Sequence, residues 1–340
     1  MNRYVKKYGV DAMSAMAQGL FCTLLVGTIL NTLGQQLGVV FLTKIGGFAC
    51  AMVGPAMAVA IGYALKAQAM VLFSLVPVGY ATNLLGGAGG PFAVYVVAIV
   101  AAEVGNLVSG KTRIDILVTP IVTLLAGIGL ALLIASPIGK AASWVGGVIM
   151  WATELHPFLM GIVVAVVVGM ALTLPISSAA ICAGLGLTGL AGGAALAGCC
   201  AQMVGFAVLS FKDNRWGGVV SQGLGTSMLQ IGNIIRKPLV WVPAILTSAI
   251  TGPLATCVFK LQMNGTPVSS GMGTCGFVGQ IGVYSGWVND IAAGAKASIN
   301  AMDWAGLILI SFVLPAVICP LINMLLRKLG WVKDGDMKLS

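Results

Sequence analysis

Long apolar runs alternate with short polar breaks along almost the whole chain. Runs of about the 20 residues that a membrane crossing needs occur at 12–33, 39–65, 67–82, 91–108, 114–135, 157–174, 176–211 (one long or two short), 239–259 and 303–327. Residues 138–154 are apolar but short, so we place them at the membrane surface, and residues 1–11 are predicted to be a basic, amphipathic lead-in. The pattern predicts an all-α, polytopic transmembrane bundle of about 8–11 helical segments, half-crossings included.

Two stretches do not fit a simple crossing. Residues 217–235 are too polar to face lipid, and residues 262–290 hold seven Gly among many hydroxyl and amide side chains. Non-helical backbone at membrane depth is tolerated only inside protein or beside a wet cavity. We therefore predict re-entrant or broken helices, with 262–290 a hairpin beside a solute pathway; an ordinary external loop is the alternative.

The Gly and Pro positions also repeat. A Gly-Asn pair, a basic loop, a Pro and a later Gly occur at Gly105-Asn106, Pro120 and Gly129, and again at Gly232-Asn233, Pro243 and Gly252. Many membrane carriers consist of two such repeats and hold their solute where the halves meet. We predict one membrane domain, 1–340, with a two-fold internal repeat: halves at about 12–135 and 142–260, then a re-entrant hairpin and last helix at 261–330. Parallel and inverted repeats both stay open.

Composition excludes a soluble protein, because 59% of the residues are hydrophobic and only 8% are charged, against roughly 25% charged in soluble domains. The net charge of +9 comes from short basic loops, as the positive-inside rule expects, and not from a nucleic-acid-binding face. We predict a multi-pass cell-membrane protein with both termini cytoplasmic. Basic clusters flank 217–235 on both sides, so that stretch is re-entrant or one cluster lies outside.

Few ionisable groups stand in apolar surroundings. His156 is the only histidine, and Glu154 lies two residues before it, ahead of Pro157. In an extended segment both side chains point the same way, so they can bind the hydroxyls of a solute or pass a proton; solvated interfacial residues are the alternative. Glu103 is a further candidate for the solute site: as a neutral or paired carboxyl it faces the cavity or an intramembrane partner such as Arg113, and the alternative is that it reaches water near its helix end.

A larger set of amides and hydroxyls suits a neutral, polyhydroxylated solute, because each buried hydroxyl needs a donor and an acceptor to replace water. The substrate-binding candidates are Gln222, Thr226, Ser227, Gln230, Asn233, Asn264, Thr266, Ser269, Ser270 and Thr274, with Asn83 and Asn106 as further candidates. Hydrogen bonds between helices are the alternative use. The eight cysteines have no metal-type spacing, and we predict no metal and no cofactor.

Three stretches carry a resemblance to a known family: Glu154 to Phe158, Gly223 to Gln230, and Asn264 to Thr274. They resemble enzyme IIC, the membrane component of the phosphoenolpyruvate-dependent sugar phosphotransferase system, in the branch of the perfringolysin O regulator-like proteins. The resemblance implies a homodimer that moves sugar by alternating access, with a Glu and a His near a re-entrant hairpin holding it. It also implies that phosphorylation is done by separate IIA and IIB proteins, so we expect no enzymatic activity of the chain alone.

Two other functions stay open. One is a membrane sensor or regulator that binds a solute without moving it. The other is an ion- or proton-coupled carrier unrelated to phosphotransfer. The short cytoplasmic loops favour transport over regulation, since a regulator needs a docking face.

Overall fold

The computed structural model describes residues 4–339, without the side chain of Val5. This part of the chain is helical almost throughout and contains no strand, only an isolated antiparallel bridge between Gly189 and Met263. The predicted all-α fold is confirmed. The residues form two compact units, one up to Ser143 and one from Trp144 on.

The first unit consists mainly of long apolar helices. They are α1 (Lys6–Leu37), α2 (Val40–Ala51), α3 (Val53–Ala64), α4 (Ala69–Gly86), α5 (Gly90–Val108) and α6 (Asp115–Thr153), which continues into the second unit. The α2 and α3 helices meet at an angle of 53°, so the predicted segment 39–65 is a broken helix. The α4 and α5 helices form an antiparallel hairpin, because the chain reverses at Gly87 (φ +52°) and Val71 packs on Gly105.

The structure joins two segments that the sequence predicted to be separate to the long helices beside them. Residues 138–154 do not form a separate surface segment, because α6 runs on to Thr153. Pro137 removes one backbone donor without ending the helix, and no residue of α6 has a positive φ. Likewise, α1 already begins at Lys6, so the lead-in is the first part of the first long helix.

The second unit is built around one buried helix. Its elements are α7 (Pro157–Thr173), α8 (Ser178–Gly184), α9 (Gly189–Leu209), α10 (Phe211–Val220), α11 (Ile231–Arg236), α12 (Pro238–Val258), α13 (Pro267–Ser270), α14 (Val278–Ala292) and α15 (Ala301–Lys328). Glycines on α9 let its neighbours approach closely: Gly198 lies against the Ala165 backbone and Gly205 against Cys319. The predicted run 176–211 is therefore two helices, of which the longer is the core of the unit.

The helix directions define two ends of this unit. The α7 and α15 helices run parallel to α9, since Thr173 contacts Gln202 and Cys319 packs on Gly205. The α12 helix runs the other way, with Trp241 near Gln202. We call the two ends the Gly189 end and the Leu209 end.

Six stretches of the described residues are long and apolar enough to cross a membrane, or seven with the bent α2–α3 pair. One of the six is the α4–α5 hairpin, whose arms of 18 and 19 residues each approach the length of a crossing. These counts agree with a polytopic bundle. The two-fold repeat and the boundaries of its halves stay predictions.

Candidate functional site

Residues 262–292 form a hairpin that enters the second unit from the Gly189 end. Its two arms are joined at the base, where Asn264 Nδ2 donates to Asp290 Oδ2 at 2.8 Å. The base is held beside the start of α9, because Met263 and Gly189 exchange two backbone hydrogen bonds of 3.0 and 3.1 Å. Both arms therefore begin at one end of the unit, as a re-entrant hairpin requires.

The tip of this hairpin reaches the middle of α9. Gly273, in the left-handed region at φ +56°, packs on Cys199 and Met203. The chain then reverses through Gly276 and Phe277, which also have positive φ, and returns as α14. Glycine adopts this backbone without strain, so the Gly-rich composition of the stretch has a direct structural use.

A second hairpin, residues 211–236, enters from the Leu209 end. The α10 helix is kinked at Arg215 (φ +52°), and Gln222 on the entering arm donates to Ser210 Oγ at 2.8 Å. The helix breaks at Thr226, an extended residue whose hydroxyl caps the next turn by accepting from the Met228 N–H. Both flanking basic clusters therefore lie at the Leu209 end of the unit, as the re-entrant alternative for 217–235 expects.

The two hairpins meet in the middle of the unit. Thr274 Oγ1, at the tip of the first hairpin, donates to the carbonyl oxygen of Gly223 in the second at 2.5 Å. Beside this junction, Ser227 Oγ lies 2.8 Å from Thr173 Oγ1 at the end of α7. All three side chains that contribute hydroxyls here are buried. Polar groups of both hairpins and of α7 therefore meet near the middle of the unit.

A glutamine that the sequence analysis did not single out joins this junction to the neighbouring helices. Gln202 Oε1 accepts from Thr173 Oγ1 at 3.2 Å and from Trp241 Nε1 at 2.8 Å, and its amide nitrogen donates to Ser248 Oγ at 3.4 Å. Its side chain is fully buried. The sequence could have indicated Gln202, because it is the single Gln in the apolar run of α9. Polar groups inside membrane helices are costly and pair with other polar groups.

Three of the predicted solute-binding amides form a chain on the second hairpin. Gln230 Nε2 donates to Gln222 Oε1, and Asn233 Nδ2 donates to Gln230 Oε1, both at 2.8 Å. The same two nitrogens also donate to the carbonyl oxygens of Met337 and Lys338 at 2.9 and 3.0 Å. In this structure Gln230 and Asn233 are therefore occupied by the chain's own residues 337–338, and Gln222 is occupied by Gln230, Ser210 and Gly218.

Glu154 and His156 lie elsewhere in the unit. Both side chains are exposed, and His156 directly precedes α7, whose first residue, Pro157, accepts from Thr256 Oγ1 at 2.8 Å. The junction residue Thr173 lies at the other end of the 17-residue α7, about 25 Å away along the helix axis. The structure does not bring this pair together with the hydroxyls of the junction.

A match to a known protein family shows what kind of protein this is. The family model described as "Phosphotransferase system, EIIC" matches residues 10–339. The chain belongs to the phosphotransferase system EIIC family. No curated protein and no solved structure matches it. Membership makes the chain a membrane component of a sugar phosphotransferase system, one that works with IIA and IIB partners.

The other predicted residues of the EIIC hairpin 262–292 make contacts inside the protein. Thr266 Oγ1 and Ser269 Oγ are 2.9 Å apart, and Ser270 Oγ donates to the Leu187 carbonyl at 2.7 Å. These bonds hold α13 against the segment between α8 and α9. They stabilise the entering arm, and a role in binding solute stays a prediction.

The three candidates in the first unit of this EIIC also have partners. The carboxylate of Glu103 accepts from Lys7 Nζ at 2.5 Å and from Tyr8 OH at 3.0 Å, so the suggested pairing with Arg113 is wrong. Asn106 Oδ1 accepts from the Gln68 N–H at 3.2 Å and closes the α4–α5 hairpin. Asn83 packs over Gly90 at the turn of the same hairpin.

Residues 331–339 of the EIIC pack against the second hairpin at the Leu209 end. Asp213 accepts from the N–H groups of Gly335 and Met337, and Lys237 pairs with Asp336 at 2.6 Å. Burial raises the pKa of Asp336, but the hydrogen bond from Lys237 and that from the Lys333 N–H outweigh it, so its pKa is lowered. The hydrogen bond from Arg327 and the nearby charges lower the pKa of the exposed Asp334.

Acidic, histidine and cysteine side chains of this EIIC do not gather into a metal site anywhere in residues 4–339 that the structure describes. Of the predicted residues, Thr226, Ser227 and Thr274 lie at the hairpin junction. Gln230 and Asn233 bind residues 337–338, and Gln222 binds Gln230.

Proposed function

We propose that this EIIC moves a small, neutral, polyhydroxylated solute, a sugar or a sugar-like compound, by alternating access, with the hairpin junction as its closed barrier. The supporting observation is the hydrogen bond between Thr274 and Gly223, where two broken hairpins from opposite ends meet. Carriers with this plan hold the solute where helices are interrupted. Opening either hairpin exposes hydroxyls and free backbone groups to one side only.

The proposed solute contacts follow from the chemistry of the two hairpins. Thr226, Ser227 and Thr274 offer hydroxyls at the junction, and Asn264, Thr266, Ser269 and Ser270 lie along the first hairpin. Glu154 and His156 are proposed to receive hydroxyls at the Gly189 end, the carboxylate as acceptor and the imidazole as donor or acceptor. Taken together, these side chains offer both donors and acceptors, as the hydroxyls of a sugar need.

Phosphorylation of the moved solute is proposed to occur at the Leu209 end by separate IIA and IIB proteins. Eight of the ten Lys and Arg residues of the second unit belong to this end: Lys212, Arg215, Arg236, Lys237, Arg327, Lys328, Lys333 and Lys338. By the positive-inside rule this end is cytoplasmic, which supports a cytoplasmic C-terminus, and the basic residues Lys6 and Lys7 separately support a cytoplasmic N-terminus. We also propose a homodimer and membership of the perfringolysin O regulator-like branch, both on the sequence resemblance.

Counterflow of labelled sugars in proteoliposomes tests the transport proposal. Preloaded vesicles should accumulate the labelled form of the matching sugar, and adding purified IIA, IIB and phosphoenolpyruvate should trap it as its phosphate. Binding of a sugar with no counterflow would instead favour a membrane sensor. Uptake that needs a pH gradient and no phosphate donor would favour a proton-coupled carrier.

The pair at the start of α7 is tested by substitution. Glu154→Gln and His156→Ala should weaken sugar binding roughly tenfold to a hundredfold, because loss of a hydrogen bond to a charged partner costs about 1.5–3 kcal/mol. Thr153→Ala is the control, since that hydroxyl is satisfied by the Met150 carbonyl. If both variants bind within about twofold of the parent protein, the pair is interfacial only.

A further inference from the structure

A cavity of about 350 Å³ opens at the Gly189 end of the second unit. It lies between the end of α12, the base of the first hairpin and the start of α15. Its polar lining consists of Lys260, Gln262, Asn264, Asp290, Lys296 and Asp303, and Trp287 forms part of its wall. This volume lies at the lower end of the range for small-molecule sites, about 300–1,000 Å³.

Some of these polar groups are already paired. Lys296 Nζ and Asp303 Oδ1 form an ion pair of 2.8 Å, and both side chains are mostly buried. Asp303 Oδ2 also accepts from the Asn300 N–H at 2.8 Å. This pair fixes the start of α15 to the loop before it, so it shapes the cavity and has little capacity left for a ligand.

The opposite wall keeps binding capacity. Asn264 Nδ2 donates to Asp290 Oδ2 at 2.8 Å and to Gln262 Oε1 at 3.2 Å, which leaves the second Asp290 oxygen and the Gln262 amide nitrogen for a solute. Among the ion pairs of residues 4–339, none includes Asp290 or Lys260. The cavity therefore offers one carboxylate, one ammonium group and one amide donor.

This combination selects a class of ligand. A hydroxyl can donate to Asp290 and accept from Lys260 or Gln262, whereas an anion or a cation would satisfy only one of the two charges. Trp287 is 3% exposed, so its indole lies in the cavity wall and offers little surface of its own, although it is close enough to sense an occupant. Several hydroxyls on one small ring match the lining better than a single charged group.

We propose that this cavity, the Lys260–Asp290 cavity, is a vestibule site that binds a neutral, pyranose-sized polyol before it reaches the hairpin junction. The inference deepens the proposed function and rests on it. Asn264 and Asp290 join the base of the same hairpin whose tip carries Thr274. A polyol bound at the base thus contacts the element that must move for the junction to open.

Fluorine NMR of the full chain labelled with 5-fluorotryptophan tests the site directly. The protein has seven Trp, and the Trp287→Phe variant assigns the resonance of interest. D-glucose, D-galactose, D-mannose, N-acetylglucosamine and D-mannitol are titrated, with glycine and inorganic phosphate as charged probes. At least one polyol should shift the Trp287 signal saturably, and neither charged probe should do so.

Two substitutions should weaken that polyol at least tenfold: Asp290→Asn, which keeps an acceptor for Asn264, and Gln262→Ala. Asn289→Ala is the control, because Asn289 is exposed and does not line the cavity. Equal binding by parent and both variants would overturn the vestibule site, as would a Trp287 signal that responds to no polyol or only to glycine or phosphate.

Counterflow on the same preparations separates this inference from the proposed function. If sugar is exchanged while the Trp287 signal stays silent, transport stands and the vestibule site fails. If a polyol shifts Trp287 and Asp290→Asn weakens it, but no sugar is exchanged, the site stands as a binding site and transport fails.

Discussion

Gln230 donates a 2.9 Å hydrogen bond to the carbonyl oxygen of Met337, which lies 107 residues further along the chain. Asn214 Nδ2 donates to the same oxygen at 2.8 Å, and the Met337 side chain is 1% exposed. A peptide carbonyl and a sugar hydroxyl make the same demand on an amide donor. Residues that suit a polyhydroxylated solute can therefore serve equally well to hold a segment of the protein itself.

Loss of the Gln230 amide should release residues 335–339. Gln230→Met keeps the length of the side chain but removes both of its donors, at a cost of about 1–3 kcal/mol for the groups left unpaired. Amide hydrogen exchange of residues 335–339 should become at least fivefold faster. Gln262→Met, at the opposite end of the unit, is the matched control and should leave that exchange rate unchanged. Equal rates in both variants would mean that the other contacts hold the segment alone.

The same segment should respond to acid. Because the pKa of Asp336 is lowered by its partners in the folded state, its contribution is fully present above the unfolded pKa of about 3.9 and is lost as the pH falls through the lower folded value. Exchange protection at residues 333–339 should thus be constant from about pH 5 to 8 and fall only below about pH 4. Asp336→Asn should make this acid dependence clearly smaller, with the remainder coming from groups such as Asp334, whose pKa is also lowered. Protection that changes near pH 6–7 would contradict the assignment.

Much of the fold could be predicted because its signals are local. The length of the apolar runs predicted the long helices, and the glycines of 262–290 indicated a hairpin, since Gly273 and Gly276 adopt positive φ at its tip without strain. Pairings between distant residues could not be predicted. Glu103 has cations available at several sequence distances, and only the packing of α1 against α5 selects Lys7 over Arg113.

In the candidate site, too, residue types could be predicted from the sequence but pairings between distant residues could not. Thr274 and Ser227 were found by their residue type, but their partners, Gly223 and Thr173, were not, because nothing in the sequence shows that two hairpins meet. The partners of Gln230 and Asn233 were missed for a related reason. Amides that bind solute and amides that bind a peptide carbonyl have the same sequence signature.

Glu103 should contribute little to solute transport. Its carboxylate pairs with Lys7, and the two side chains are 34% and 38% exposed, so the pair is worth about 1 kcal/mol or less. Glu103→Gln should lower the melting temperature only slightly and leave counterflow within about twofold. Tyr95→Phe, which loses a 2.8 Å hydrogen bond to the Tyr8 carbonyl, is a comparison of similar cost. Abolished counterflow in a well-folded Glu103→Gln protein would return Glu103 to the solute pathway.

Close helix contacts should make Gly198 intolerant of a side chain. A Cβ at this position would overlap the Ala165 backbone, and relief of such overpacking costs about 1–3 kcal/mol or more. Gly198→Ala should therefore lower the melting temperature clearly in detergent. Gly147→Ala is the control, because that Cβ would point into open space and alanine favours a helix by about 1 kcal/mol. The prediction fails if the two variants melt together.

The junction hydrogen bond should set how often the two hairpins separate. Thr274→Val keeps the shape of the side chain but removes the donor to the Gly223 carbonyl, which costs the closed state about 1 kcal/mol, a roughly fivefold shift toward the open one. Cys275 follows Thr274 directly and is 1% exposed, so its reaction with a small maleimide reports opening. Labelling should be roughly fivefold faster in Thr274→Val and unchanged in Thr274→Ser, which retains the hydroxyl. Mass spectrometry must resolve the site, since Cys22 and Cys257 are exposed. If valine and serine variants label at the parental rate, the contact does not hold the junction closed.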